Sequence, residues 1–127
     1  KWVKQSIHYW CPDTKEHKFL GQNVTVAILD TGISPHPDFK DRILSFRDFS
    51  STTGSSEKVL FSFSHFSPLI DNSGHGTHVA GILAGSGLLS SGTYAGIAPF
   101  CNLIIGKVLD QNGNGSIKNV INGIQWI

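Results

Sequence analysis

A carboxylate can hold one nitrogen of an imidazole, fix its tautomer and stabilise its charged form. The other nitrogen is then left to take a proton from a nucleophile. Asp30 and His75 are the residues of this chain best placed to form such a pair. Asp30 directly follows a β-branched, nearly continuous apolar run, Asn23-Val-Thr-Val-Ala-Ile-Leu29. A carboxylate there is costly unless it is hydrogen-bonded or paired, and the Thr31-Gly32 turn offers backbone N–H groups to it. His75 stands between Gly74 and Gly76 at the start of a predicted helix. The glycines leave room beside the ring for another backbone or a substrate. A helix N-terminus also disfavours imidazolium, which helps to keep a base neutral. Each residue has a plainer reading too. Asp30 fits a turn or cap aspartate, and His75 and His78 fit core histidines. For His78, one turn into the helix among apolar neighbours, the core reading is preferred.

The elements that must bring the pair together follow from the apolar pattern. The run 23–29 reads as a strand buried on both faces, as in a parallel sheet. Residues 34–41, with two prolines and two aspartates, read as a loop, and Arg42 to Phe49 as a second strand. The small polar stretch 50–58 reads as an exposed loop; residues 59–70 are apolar and serine-rich, with no element assigned. Asp71-Asn-Ser-Gly74 is a turn. His75 to about Leu83 is a helix packed through small residues and stopped by Gly85-Ser-Gly87. Leu103 to Leu109 is a further strand. The turn-rich loop Asp110–Gly115 leads to Ser116 as an N-cap. Ile117, Val120, Ile121, Ile124 and Ile127 follow at helical spacing, forming one apolar face. Strand, helix, strand, helix at these lengths means βαβ crossovers. The expected fold class is α/β, a three-layer parallel sheet with helices on both faces. Residues 1–21 are expected to be an N-terminal arm and 22–127 the domain portion. In such open sheets sites form at the carboxyl ends of strands, which is where Asp30 stands.

Bulk properties narrow the function classes. The 127 residues are 39% hydrophobic and 15% charged, with 10 Lys+Arg against 9 Asp+Glu. That balance argues against nucleic-acid or membrane-surface partners, which need a basic face. No run of 18 apolar residues suggests a membrane span. There is no methionine and no apolar stretch behind Lys1, so the start reads as a processed boundary, with any signal peptide or propeptide upstream and the compartment unassigned. Cys11 and Cys101 could pair in a disulfide. Their spacing matches no metal or redox motif, and two separate thiols, with Cys101 half-buried beside a strand, are preferred. Asp110–Gly115 resembles the start of an EF-hand loop, but Ile121 stands where a bidentate glutamate is needed, so a β-turn loop is expected. Asn23-Val-Thr25 matches the glycosylation pattern but falls in the predicted strand.

Taken together the motifs resemble those of the subtilases. Val26-Ala-Ile-Leu-Asp30-Thr-Gly-Ile33 with His36-Pro-Asp-Phe39 is similar to the family's aspartate motif. His75-Gly-Thr-His-Val-Ala-Gly81 resembles its histidine motif in full. Gly96-Ile-Ala-Pro99, Lys107-Val-Leu-Asp110 and Gly123-Ile-Gln-Trp126 are similar to the stretches that follow. The resemblance covers roughly residues 20–127 and is strongest to the bacterial subtilisin-type enzymes. It implies Asp30 as the orienting carboxylate and His75 as general base, then acid. It implies Asp71 and Asn72 as residues bordering the substrate cleft. It implies polypeptide substrates, with a propeptide or inhibitor as a further partner.

Three departures qualify it. The family's Gly-Thr-Ser segment is absent, since Gly92-Thr93-Tyr94 is not it. The asparagine that completes the family's oxyanion hole is absent as well. Both are expected beyond Ile127, so these residues alone should show no proteolysis. Finally, the segment matching the family's calcium loop, Ser86 to Thr93, has no carboxylate, and Asp38, which matches a calcium ligand, stands without it. No metal site or other cofactor is expected, with calcium kept as an open alternative although its usual loop lacks carboxylates. The function expected of the intact protein is serine endopeptidase. The alternative is a non-catalytic binding module that kept the cleft and lost the nucleophile. A histidine-based metal protein is a third reading, which stoichiometric zinc would reveal.

Overall fold

The structure is a computed structural model of the chain that describes residues 4, 6, 7, 19–50 and 69–127. Three strands of six residues, each rich in β-branched and aliphatic side chains, form one sheet: β1 (Thr25–Asp30), β2 (Ile43–Asp48) and β3 (Asn102–Lys107). Their order is β1-β3-β2 and both pairings are parallel. Asp30 and Asp48 both lie level with Lys107, so the carboxyl ends of all three strands finish at one edge.

Alternation along the strands sends side chains to two faces. On one face Ile28, Phe46, Leu103 and Ile105 meet Ala80 and Ala84 of helix α1 (His75–Ala84) in the main core. On the other, Leu29 meets helix α2 (Ile117–Trp126) at Gly123, where a Cβ would come within 3.0 Å of the side chains of Leu29 and Val108. Trp126 closes the same contact edge-on against Phe49, ring centroids 5.7 Å apart. Helix, sheet and helix are the three layers expected. Ser116 caps α2 by accepting the Asn119 N–H at 3.1 Å.

Several expectations change. Among the described residues β3 is the central, most buried strand, while β1 is an edge strand and only partly buried. An open apolar groove of about 560 Å³ runs beside β1, lined by Val26–Asp30, Val79, Ile82, Leu83 and Ile97. Asn23 is not in the strand but in an exposed turn before it, with φ +62°. The isoleucine stripe of α2 is real as a periodicity but does not face the sheet. Ile117, Ile121 and Ile124 are exposed, because the close approach at Gly123 turns that side of the helix inward instead. Cys101 is fully buried rather than half-buried, and its thiol is free. Cys11 lies outside the described residues, as do Trp2, Tyr9, Trp10 and the loop at 51–58.

The loops at the opposite end are held by one cation. Arg42 ends the 3-10 turn Lys40–Arg42 and donates to the carbonyls of Cys101 (2.8 Å), Ala84 (2.6 Å) and Asp38. It thereby ties the C-terminus of α1 to the chain entering β3.

Candidate active site

β1 ends at Asp30 because Thr31 and Gly32 turn the chain away, Gly32 at φ +114°. α1 begins at His75 from Gly74, whose φ of +83° belongs to the left-handed region that glycine favours. The helix start and the strand end touch backbone to backbone. A Cβ on Gly76 would lie 2.2 Å from the Gly32 carbonyl oxygen, so the space expected beside Gly76 is filled by another stretch of chain.

This contact brings His75 Nδ1 to 2.8 Å from Asp30 Oδ1. A carboxylate only accepts, so Nδ1 carries the proton and Nε2 presents its lone pair. The same Asp30 oxygen accepts the Thr31 N–H at 2.7 Å, which satisfies the carboxylate from the turn itself. The Asp30 side chain is 14% exposed and that of His75 is 64% exposed. The geometry is thus a sheltered carboxylate holding an open imidazole. The hydrogen bond and charge of Asp30, with a smaller contribution from Asp71, raise the His75 pKa above its usual value. A helix N-terminus disfavours imidazolium, but the carboxylate at hydrogen-bonding distance outweighs it.

Both oxygens of the Asp71 carboxylate accept hydrogen bonds from the chain itself. Oδ1 accepts from Thr31 Oγ1 (2.8 Å), Gly74 N (2.8 Å) and Ser73 N (3.2 Å), and Oδ2 accepts from Thr77 N (2.8 Å) and Thr77 Oγ1. These donors outweigh partial burial and hold its pKa down at about 2. Asn72, beside it, is exposed. His78 is exposed as well, a correction of the core reading. The inner face of α1 runs through Gly76, Ala80 and Ala84, and position 78 falls off that line.

Residues that the sequence did not flag complete the arrangement. Thr31 is buried, and its hydroxyl accepts Gly76 N–H at 2.9 Å while donating to Asp71. Thr77 Oγ1 accepts Ser34 N–H at 2.9 Å. Lys107, also buried, donates from Nζ to the carbonyls of Thr31 (2.7 Å) and Leu109 (2.8 Å). A polar residue at the carboxyl end of a strand was the available signal for Thr31 and Lys107, whereas Thr77, in the first turn of α1, carried none.

Among the described residues no three His, Cys, Asp or Glu side chains converge as a metal site. The Asp38 carboxylate accepts N–H from Gly87 (3.0 Å) and Leu89 (3.3 Å), and its carbonyl accepts from Arg42. The loop Asp110–Gly115 closes on itself, with Asp110 Oδ1 accepting from Asn112 N and Asn114 N.

Comparison with known proteins agrees with this fold. A model of the subtilase family, peptidase S8, matches residues 21–127. Serine protease AprX of Bacillus subtilis (strain 168) is 46% identical over 106 residues, covering 84% of this chain and 21% of its own length. Subtilisin E of the same organism is 40% identical over 116 residues, covering 91% of this chain and 26% of its own length. A crystal structure of a cold-adapted subtilisin-like serine proteinase superposes with a TM-score of 0.62 at 32% identity, covering 86% of this chain and 33% of that one. The chain therefore spans about a fifth to a third of the length of these relatives. With aspartate and histidine motifs in order on a parallel sheet, and a family match that runs through both helices, this chain belongs to the subtilase family.

Proposed function

We propose that the protein containing this chain is a serine endopeptidase that uses Asp30 and His75 in an Asp-His-Ser triad. The single observation that carries the reading is the 2.8 Å hydrogen bond from His75 Nδ1 to Asp30 Oδ1 at the carboxyl edge of the sheet. His75 Nε2 takes the proton of a serine hydroxyl as that oxygen attacks a peptide carbonyl. The resulting imidazolium is stabilised by Asp30 and returns the proton to the leaving amine. Water, activated by the same nitrogen, hydrolyses the acyl-enzyme. The proposal assigns the nucleophilic serine and the side chain completing the oxyanion hole to the remainder of the polypeptide. Substrates are polypeptides, with exposed Asn72 bordering the cleft.

The test is peptide hydrolysis by the full-length protein, together with labelling by a serine-directed fluorophosphonate. His75→Ala is expected to abolish both, with a loss of about 10⁶-fold in turnover, the scale known for subtilisin itself. Full-length protein that neither labels nor hydrolyses would replace the enzyme by a binding module of the same fold.

A further inference from the structure

We infer that Asp71 is a positioning residue, whose carboxylate fastens the strand end carrying Asp30 to the helix start carrying His75. The inference rests on the endopeptidase reading above for its effect on turnover. Its structural basis is separate. The imidazole has one side-chain partner among the described residues, Asp30, and most of the ring is exposed. Packing therefore does not hold the ring, and its place is set by the backbone on either side. Gly74 N–H donates to Asp71 directly, and Gly76 N–H donates to Thr31 Oγ1, which donates in turn to Asp71. Both amides flanking His75 thus end on one carboxylate. On the strand side, Thr31 follows Asp30 and gives its N–H to the Asp30 oxygen that holds the ring.

Asp71 also does the work of a helix cap. Gly74, at the N-cap, has no side chain to offer the orphan donors of the first turn. The Asp71 carboxylate reaches over it to Gly74 N and Thr77 N. The ordinary N-cap interaction satisfies a helix start alone. Here the same carboxylate binds the helix start and the sheet edge at once, through Thr31. Its two oxygens accept five hydrogen bonds from the chain itself, so it has little left for a substrate.

The charged groups around the ring are Asp30 at the end of β1, Asp71 in the loop before α1 and, one backbone group away, the Lys107 ammonium of β3 on Thr31 O. Loss of the Asp71 charge alone would lower the affinity of His75 for its proton slightly. Loosening of the Asp30 bond would lower it as well. Thr31→Val separates these effects, because it cuts the link from strand to helix and leaves the Asp71 charge in place.

The experiment uses the full-length protein, ¹⁵N-labelled at histidine, as wild type, Asp71→Asn, Thr31→Val and Thr31→Ser. The His75 titration is followed by NMR, and kcat and KM are measured on a peptide substrate. Asp71→Asn and Thr31→Val are each expected to lower kcat about 10- to 100-fold, with KM within about twofold. Both should move the His75 midpoint down toward the ordinary imidazole value. The double variant should be no worse than the weaker single, and Thr31→Ser should stay near wild type. A raised KM with unchanged kcat in Asp71→Asn would make Asp71 a substrate contact and overturn the inference. An unshifted His75 titration in folded Thr31→Val would also overturn it. The titration needs no turnover, so a wild type without peptidase activity would sink the endopeptidase reading and leave the positioning role to be decided by NMR. If Asp71→Asn does not fold, Thr31→Val against Thr31→Ser decides.

Discussion

Gly76 and Gly32 meet backbone to backbone, and a Cβ on either would run into main-chain atoms: 2.2 Å from Gly32 O for Gly76, and 1.9 Å from Ile70 O for Gly32. The turn after β1 is therefore wedged against the segment 70–76, and Asp30 and His75 lie immediately beside the contact. The short hydrogen bond between them is a consequence of that contact. Neither glycine can be replaced without moving the elements that carry the pair.

Gly76→Ala is accordingly expected to push α1 away from the β1 turn. A misplacement on the order of 1 Å costs about 100-fold in a positioned reaction, and overpacking costs about 1–3 kcal/mol in stability. Peptide hydrolysis and chemical denaturation of the full-length protein measure both. Activity within twofold of wild type would show that the contact does not set the geometry.

The pH dependence has opposite signs for folding and for turnover. The folded His75 pKa is raised by Asp30 above its unfolded value. The stability this gives is fully present below the ordinary imidazole pKa, about 6.5, and is lost as pH rises through the folded value. A general base must be neutral, so kcat/KM should rise with pH through that same folded value, with its acidic midpoint above about 6.5. Asp30→Asn removes the cause of the shift. Its residual activity should have an acidic midpoint moved to lower pH, as read from a pH–rate profile. A midpoint that stays put in Asp30→Asn would mean that Asp30 does not act on His75.

How much of this could be read from the sequence depends on the range of the interaction. The strand ending at Asp30, the helix opening at His75 and the cap at Ser116 are local in origin, since apolar runs, glycines and capping residues act over a few positions. The side of each element that is buried is not local. The Ile117, Ile121 and Ile124 stripe suggested the packed face of α2, but the contact is made where Gly123 allows the closest approach to Leu29 and Val108. His78 was expected inside because its neighbours are apolar, yet the small residues Gly76, Ala80 and Ala84 take the inner line. Asp71 was expected to border a cleft, and the reach of its carboxylate to the Thr31 hydroxyl, 40 positions away, is a contact that no local pattern announces. A motif therefore indicated the pair, while the groups that hold the pair in place became visible only with the chain folded.

Arg42 offers a test of stability that is independent of the site. Its guanidinium satisfies the carbonyls of Asp38, Ala84 and Cys101, which come from three separate segments. Arg42→Met keeps much of the apolar stem and leaves those carbonyls without this donor. The expected loss is about 2–4 kcal/mol, seen as a lower denaturation midpoint. Lysine is a flexible point donor without the planar fork, so Arg42→Lys should recover less than half of the loss. Full recovery by lysine would mean that charge, and not the fork, is what the site requires.

Asp38 bears on calcium in the same way. A calcium ion takes six to eight oxygen ligands and favours charged ones. The Asp38 oxygens already accept from Gly87 N and Leu89 N, which shapes the loop after α1, and no carboxylate lies in the segment 86–93. A cation on Asp38 would have to share those oxygens with the two amides and sit near the Arg42 guanidinium. Asp38→Asn should therefore cost about 1 kcal/mol through the loss of one amide acceptor. It should leave any calcium response of the full-length protein unchanged. The measurement is the thermal midpoint of wild type and variant, each with millimolar calcium and with chelator. A ligand that binds only the folded state raises stability in proportion to the logarithm of its concentration over Kd, so a site at Asp38 would give a calcium-dependent rise in wild type that the variant lacks. Equal shifts in the two proteins, or none, are the expected outcome, and a rise confined to wild type would place a calcium site at Asp38.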